Sequence, residues 1–366
     1  MSAAASTPEA WAALSLKALP HQPLVALLRA FGNPAAVLSA TRAALLAVVP
    51  DDMAVRVQEP LDPDALAATR MWLADPAHEI IAWDDVDYPR ALLELGFAPP
   101  ALFFVGRREL LNRPALAIVG SRNASAQGAA NARAFAQTLA QAGLTIVSGL
   151  ALGIDAAAHE GALEGTGSTL AVVGTGLDRV YPAANRALAH RIAEQGGILS
   201  EFPPGTPPRE KNFPRRNRLI SGLARGVLVV EAALQSGSLI TARYAGEQGR
   251  EVFAIPGSIH STLSKGCHKL IRQGAKLVET AQDILEELGM GLADTSADKE
   301  MTVVATPADT TAEAMLLRAL GGDPAGIDTL IERTGLRSDV VMATLTRLEL
   351  DGQVATMPGG RWQRME

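Results

Sequence analysis

The stretch NFPRRNRLISGLARGVLVVEA, residues 212–232, sets Arg215, Arg216, Arg218 and Arg225 beside Phe213 and Asn217 just before an apolar run. Widened to 207–225 it also takes in Arg209 and Lys211, six cations against Glu210 alone. The chain as a whole is acidic, with a formal net charge of −6. Cations that neutralise phosphates and a ring that stacks a base are the minimal apparatus for a single nucleic-acid strand. The stretch reads as a basic loop. Neutralising about five phosphates with it would give a log–log salt slope near −3.5. The competing reading is a solvated Arg-rich loop.

Four more turns offer groups of the same kind. IVGSRNASAQG (118–128) puts Ser121 and Arg122 between an apolar run and a helix. It lacks the G-x-G-x-x-G of a dinucleotide site, and no G-x-x-x-x-G-K-[ST] occurs anywhere in the chain. What remains is a turn at a helix N-terminus, which suits an isolated phosphate. SGLALGIDAAAHEG (148–161) sets Asp155 and His159 one helical turn apart. They form either an acid–base pair or, as preferred here, a brace, because a carboxylate would repel phosphate. In VVGTGLDRVYP (172–182), Gly174 and Gly176 would let a ligand approach the backbone, and Tyr181 reads as core. In EAALQSGSLITARYAGEQG (231–249), Ser236, Gly237 and Ser238 precede a helix, with Ser238 as the expected N-cap and free amides for a second phosphate. There is no G-x-S-x-G, no His-rich metal motif and no nucleophile with a partner base; Cys267 beside His268 reads as structural. No metal and no cofactor are expected.

These turns need a scaffold that gathers them. ALAIVG, LTIVSG, TLAVVG, GILSEF, GVLVVEA and EVFAIPG are short apolar runs separated by helical stretches. That alternation predicts an α/β chain with a doubly wound parallel sheet over about 114–288, its strand-to-helix turns at one edge. Residues 1–75 read as a small helical domain, with Asn33–Pro34 and Asp62–Pro63 as helix starts. The lead-in from 76 is mixed strand and loop, giving a main domain over 76–288. A linker is expected at 289–310 and a winged helix at 311–366, with ATMPGGRWQR as its wing. That tail carries six Arg against eight carboxylates, so it should bind duplex DNA poorly and serve protein contacts. A composition of 48% hydrophobic and 20% charged residues is that of a globular protein. A single Cys excludes an intrachain disulfide and a multi-Cys zinc site. No membrane span and no signal peptide are read, so a cytoplasmic location is expected.

Taken in order, IVGSR, IVSGLALGIDAAAHEGAL, VVGTGLDRVYP, GGILSEFPPGT, NFPRRNRLISGLARGVLVVEA, SGSLITA and GCHKLIRQGAKLV resemble the DNA-processing protein A (DprA, or Smf) family over most of 114–280. The resemblance implies an extended Rossmann fold, often with a helical domain before it and a winged helix after it. It implies single-stranded DNA binding during natural transformation, recruitment of the RecA recombinase, action as a homodimer, and no catalysis. It assigns the DNA pocket to Ser121, Arg122, Gly174, Gly176, Lys211, Phe213, Asn217, Arg218 and Ser236 to Ser238, beside the Arg215 and Arg216 of the basic track. It places dimer contacts around 266–278, at Cys267, His268, Leu270, Ile271 and Leu277. Two other classes compete: a nucleotide phosphoribohydrolase on a related fold, whose P-G-G-x-G-T is absent where QSGSLITA stands, and a regulator acting through the winged helix.

Overall fold

The computed structural model describes residues 6–96, 98–290, 312–320 and 324–365. Six helices open the chain: α1 (Pro8–Leu16), α2 (His21–Phe31), α3 (Pro34–Ser39), α4 (Arg42–Leu46), α5 (Asp51–Gln58) and α6 (Pro63–Leu73). Four of these starts are set by side chains, α4 by the Thr41 hydroxyl on the Ala44 amide and three others by a cap followed by proline. The Thr7 hydroxyl, Asn33 Oδ1 and Asp62 Oδ1 each accept a first-turn amide, and proline occupies the first helical position where its missing N–H costs nothing.

The lead-in, read as mixed strand and loop, is part of the sheet. β1 (His78–Ala82) and β2 (Ala101–Gly106) flank the short α7 (Arg90–Leu93) and pair antiparallel, Ile80 opposite Phe103. β2 then pairs antiparallel with β6 (Gly197–Ser200). The six apolar runs are all strands: β3 (Ala115–Val119), β4 (Thr145–Ser148), β5 (Thr169–Val172), β6, β7 (Gly226–Val229) and β8 (Glu251–Ala254). With the two-residue β9 (Lys276–Leu277) they make a nine-stranded sheet in the order β1-β2-β6-β5-β4-β3-β7-β8-β9. The sheet is therefore mixed. It is parallel from β6 to β9, with an antiparallel pair added at one edge.

Crossover helices cover both faces: α8 (Ala126–Gln141), α9 (Ile154–Ala162), α10 (Arg186–Gln195), α11 (Asn212–Leu223), α12 (Ser238–Glu247), α13 (Lys265–Arg272) and α14 (Ala281–Glu287). Strand side chains alternate between the two cores. Ala117 and Val119 join Val147, Val172 and Val229 on one face, while Leu116 and Ile118 join Ile146, Leu228 and Phe253 under α8, α9 and α14 on the other. Every residue of β3 is buried, as the uninterrupted apolar run required. At the antiparallel edge, Ile81, Leu102 and Phe104 face the first of these cores. Ile80, Ala82 and Phe103 point instead into the core of α1–α6, with Trp11, Leu27, Leu45 and Trp72.

Near the C-terminus α15 (Ala312–Leu320), α16 (Ile327–Thr334) and α17 (Ser338–Leu350) surround a three-stranded sheet. Its strands β10 (Ala325–Gly326), β11 (Val354–Met357) and β12 (Arg361–Arg364) lie in the order β10-β12-β11. Gly335 ends α16 in the left-handed conformation at φ 68°, and Leu316, Leu330, Leu345 and Trp362 fill the core. This is the winged helix expected from the tail; the expected linker lies, but for Gly289 and Met290, outside the described residues.

Candidate nucleic-acid interface

Strand order reverses between β3 and β7, because β4, β5 and β6 continue to one side and β8 and β9 to the other. Open α/β sheets bind ligands in the crevice such a reversal leaves at the carboxyl ends of the strands. A cavity of about 670 Å³ lies there, walled by Gly120 to Asn123 after β3, by Ala233 to Thr241 after β7, and by one face of α11.

The Ser121–Arg122 turn is held from behind by α9. The Ile154 amide donates to the Ser121 carbonyl at 3.1 Å. Gly153 sits at φ 74°, and a Cβ there would come within 2.3 Å of the same carbonyl oxygen. The helix N-terminus expected to hold a phosphate is already occupied. The Glu231 carboxylate accepts the Ser125 amide at 2.9 Å and the Ser125 hydroxyl, which in turn caps the Gly128 amide. Any side chain at Gly128 would collide with that carboxylate. The chain thus supplies its own anion to α8, and the exposed cation left at this turn is Arg122.

The basic stretch is not a loop. It is α11, and helical periodicity divides its residues between two faces. Phe213, Arg216, Asn217 and Ile220 line the cavity. Arg215 and Arg218 point the other way, toward α1 and α2, and share Glu201 at 2.9 and 2.6 Å. Glu201 is buried, and burial also lowers the pKa of Arg218. Arg216 is only 5% exposed. Its Nη1 donates to the carbonyls of Gly149, at 2.6 Å, and Val172, and its Nε donates to Asn217. Burial pulls its pKa down to about 10 despite Asp155 nearby. Arg216 therefore floors the cavity and ties the ends of β4 and β5 together. Arg225 precedes β7, its amide bonded to Ala115 at the start of β3, on the sheet edge away from the cavity. The exposed cations left from the stretch are Arg209 and Lys211, before the helix, and the half-paired Arg215. Lys211 stands at the N-cap of α11 and outside the cavity wall.

Phe213 stands between Arg122, whose Cζ is 5.7 Å from the ring centroid, and Tyr181, whose ring is 5.7 Å away at 35°. Tyr181 was expected in the core; it is 45% exposed and lines the cavity. The two glycines of the third turn have the chain packed against them. A Cβ at Gly174 would lie 3.1 Å from Phe213 Cδ1, and one at Gly176 would lie 2.6 Å from the Pro203 carbonyl oxygen. At the fifth turn Ser238 is not the N-cap but the first helical residue, after Gly237. The Ser236 and Ser238 hydroxyls are paired at 2.6 Å, and the Asn217 side chain donates to the Gly237 carbonyl.

Asp155 and His159 form the brace preferred above. Asp155 accepts the Gly149 and Ala151 amides. His159, fully buried, accepts the Leu150 amide at Nε2 and contacts Thr169 Oγ1 through Nδ1 at 2.7 Å. The Thr169 hydroxyl already donates to Ile146, so Nδ1 carries the proton and the ring is neutral. Burial, with Arg216 adding to it, pushes its pKa down to about 3. A His depressed in the fold contributes stability that is complete above its unfolded value of 6.5. That stability is lost at about 1.4 kcal/mol per pH unit as pH falls from there toward 3. Burial raises the Asp155 carboxyl, which acts in the opposite sense above 3.8. The His159 share is isolated by comparing wild type with His159→Gln in urea unfolding between pH 8 and 4. The gap between them should shrink toward low pH; a constant gap would mean that His159 titrates normally.

The residues 266–278 do not act as one patch. Cys267 is wholly buried, its thiol directed at the Val229 and Val230 carbonyls and pushed up to about 12 by burial, so it faces neither partner nor solvent. His268 contacts the Gly257 carbonyl, and Leu270 and Ile271 pack half-buried against the core. Leu277 is exposed on β9, at the edge of the sheet. Among the described residues no group of side chains could hold a metal ion, and no helix is long and apolar enough to cross a membrane.

The chain was compared with known proteins. Residues 79–289 match the family model described as DNA recombination-mediator protein A, and residues 302–360 match the DprA winged helix domain. Protein Smf of Escherichia coli is 46% identical over 306 residues, 81% of this chain and 80% of that protein. DNA processing protein DprA of Streptococcus pneumoniae is 54% identical over 200 residues, 55% of this chain and 71% of that one. The solved structure of DprA from Streptococcus pneumoniae superposes with a TM-score of 0.68 at 40% identity, covering 77% of this chain and 99% of that one. That of DNA processing protein A from Helicobacter pylori, described with a single-stranded DNA binding mode, gives 0.53 at 32% identity, covering 58% and 95%.

Proposed function

Because the chain belongs to the DNA recombination-mediator protein A family, we propose that its cavity holds single-stranded DNA. In this reading the protein is a non-catalytic mediator that protects an incoming strand, hands it to the RecA recombinase and works as a homodimer in the cytoplasm. One observation carries the reading. An aromatic ring, half-exposed and with a guanidinium on one side, is presented by a rigid helix at the crevice where the strand order reverses. A stacked base and a neutralised phosphate are the two contacts a single strand offers at every nucleotide. The homologous single-strand binding described for the Helicobacter pylori protein supports the same assignment. His159, neutral and buried, and Asp155, spent on two backbone amides, are engaged within the fold as a brace.

The dimer reading narrows to the exposed Leu277 and the half-buried helix face of His268, Leu270 and Ile271, since Cys267 is sealed inside. The test of the main reading is a fluorescence anisotropy titration of the full chain with poly-dT and with duplex of equal length. Single strand should bind far more tightly. Arg122 lines the cavity, and Arg209 and Lys211 are exposed just before α11, one face of which walls it, whereas Arg216 and Arg218 are engaged within the fold. The salt slope should therefore be about −2, from roughly −0.7 per phosphate, and not the −3.5 that about five cations would give. Equal affinity for both forms, or a slope near zero, would remove the cavity from the account.

A further inference from the structure

The turn after β5 presents Tyr181 to two cavities. One is the main cavity. The other, of about 160 Å³, lies between the antiparallel edge of the sheet and α10. The walls of the second are largely apolar, from Val105, Leu177, Val180 and Ile198, with His190 and Arg179 among its polar groups. Tyr181 forms the ridge between them. Its ring is 5.7 Å from that of Phe213 at a 35° tilt, too close for a base to enter between the two, so the rings stand in direct contact at the mouth of the cavity.

The ridge is fixed to its neighbours on three sides. The Gly176 amide donates to Thr206, the Gly205 amide to Asp178, and the Asn185 side chain to the Leu150 carbonyl. An exposed ring on a turn anchored at both ends, on a cavity rim, has a surface to offer to a second planar group. A platform costs little conformational entropy on binding when its loop is already ordered.

Resting on the single-strand reading above, we propose that Tyr181 carries a single strand out of the main cavity. The base next to the one on Phe213 stacks on Tyr181, and the smaller cavity receives the base beyond it. The smaller cavity has room for one base and none for a base pair, and its aliphatic walls match the faces of a base rather than a phosphate. Arg179 lines it too, tied to Asp178 at 2.8 Å.

The test uses the full chain and dT oligomers. Tyr181→Ala should weaken binding roughly 5- to 150-fold, the equivalent of one stacked base. Tyr181→Phe should bind like wild type, because the ring and not the hydroxyl is the contact. Oligomers carrying a single 5-iodouracil, irradiated in the complex, should cross-link to Phe213 from one position, to Tyr181 from the adjacent position, and to the smaller cavity's His190 from the one after. Unchanged affinity in Tyr181→Ala, an equal loss in Tyr181→Phe, or cross-links confined to Phe213 would overturn the step. If Phe213→Ala weakens binding and Tyr181→Ala does not, only this inference fails. If wild type binds no single strand, the reading of the cavity itself fails.

Discussion

Arg216→Ala is expected to lose about 3–5 kcal/mol of folding stability, the usual cost of leaving a buried charge without its partner. The guanidinium is 5% exposed, bridges the Gly149 and Val172 carbonyls, and lies beside the buried Asp155. Its removal takes the donor from two carbonyls and the nearby positive charge from Asp155 at once. Gly149 is shaped to it, since a Cβ there would come within 2.5 Å of Nη1. Arg216→Lys should rescue little, because a single ammonium cannot reproduce a planar fork that reaches two carbonyls and Asn217. Urea unfolding followed by circular dichroism measures this directly. A variant with wild-type stability that had lost only DNA binding would make Arg216 a phosphate ligand instead.

Phe213→Ala carries the second large effect, on affinity. Truncating the ring should weaken poly-dT binding by about 1–3 kcal/mol, the worth of one stacked base. The ring rests on Gly174 and Tyr181, so some stability goes with it, and the variant must be compared at a temperature where both proteins are folded. Phe213→Tyr or Phe213→Trp should retain most of the affinity, as any flat ring will stack. An Ala variant that binds like wild type would reduce Phe213 to a packing residue.

Strands β3 to β7 were legible because they are buried almost throughout on both faces, which leaves an unbroken apolar run; β8 kept enough of one, and the two exposed residues of β9 left none. That the turns share one edge of the sheet followed from them; that those after β3 and β7 flank the reversal did not, because no single run says where strand order turns back. The basic stretch was misread because Pro214 and three Arg among polar neighbours resemble a loop. Pro214 sits in the first turn of α11, where the missing N–H removes no helical bond. Taken as a helix, Phe213, Arg216, Asn217 and Ile220 fall at i, i+3, i+4 and i+7, and the division of the arginines between two faces follows. Other features had no local signal. That Glu231 caps α8 depends on residues 106 positions apart, and that Tyr181 stands free depends on what fails to pack against it. β1 and β2 were seen as strand-like, but nothing in a five-residue run says which sheet it will join.

The odd–even alternation of β1 and β2 divides allegiance within single strands: Ile81 and Phe104 belong to the large sheet, Ile80 and Phe103 to the helices before it. Two bodies that share alternate residues of the same hairpin are coupled through it: a change in either is felt at every second residue of both strands. A gene that lost the segment encoding α1–α6 would leave one side of that hairpin as a bare apolar wall. A gene that exchanged it for another helical module would need new residues at every second position of both strands. The winged helix, by contrast, has a core of its own. A substitution in the core at the far end stays within that module, whereas one beneath the near-end helices is transmitted through the hairpin to the sheet.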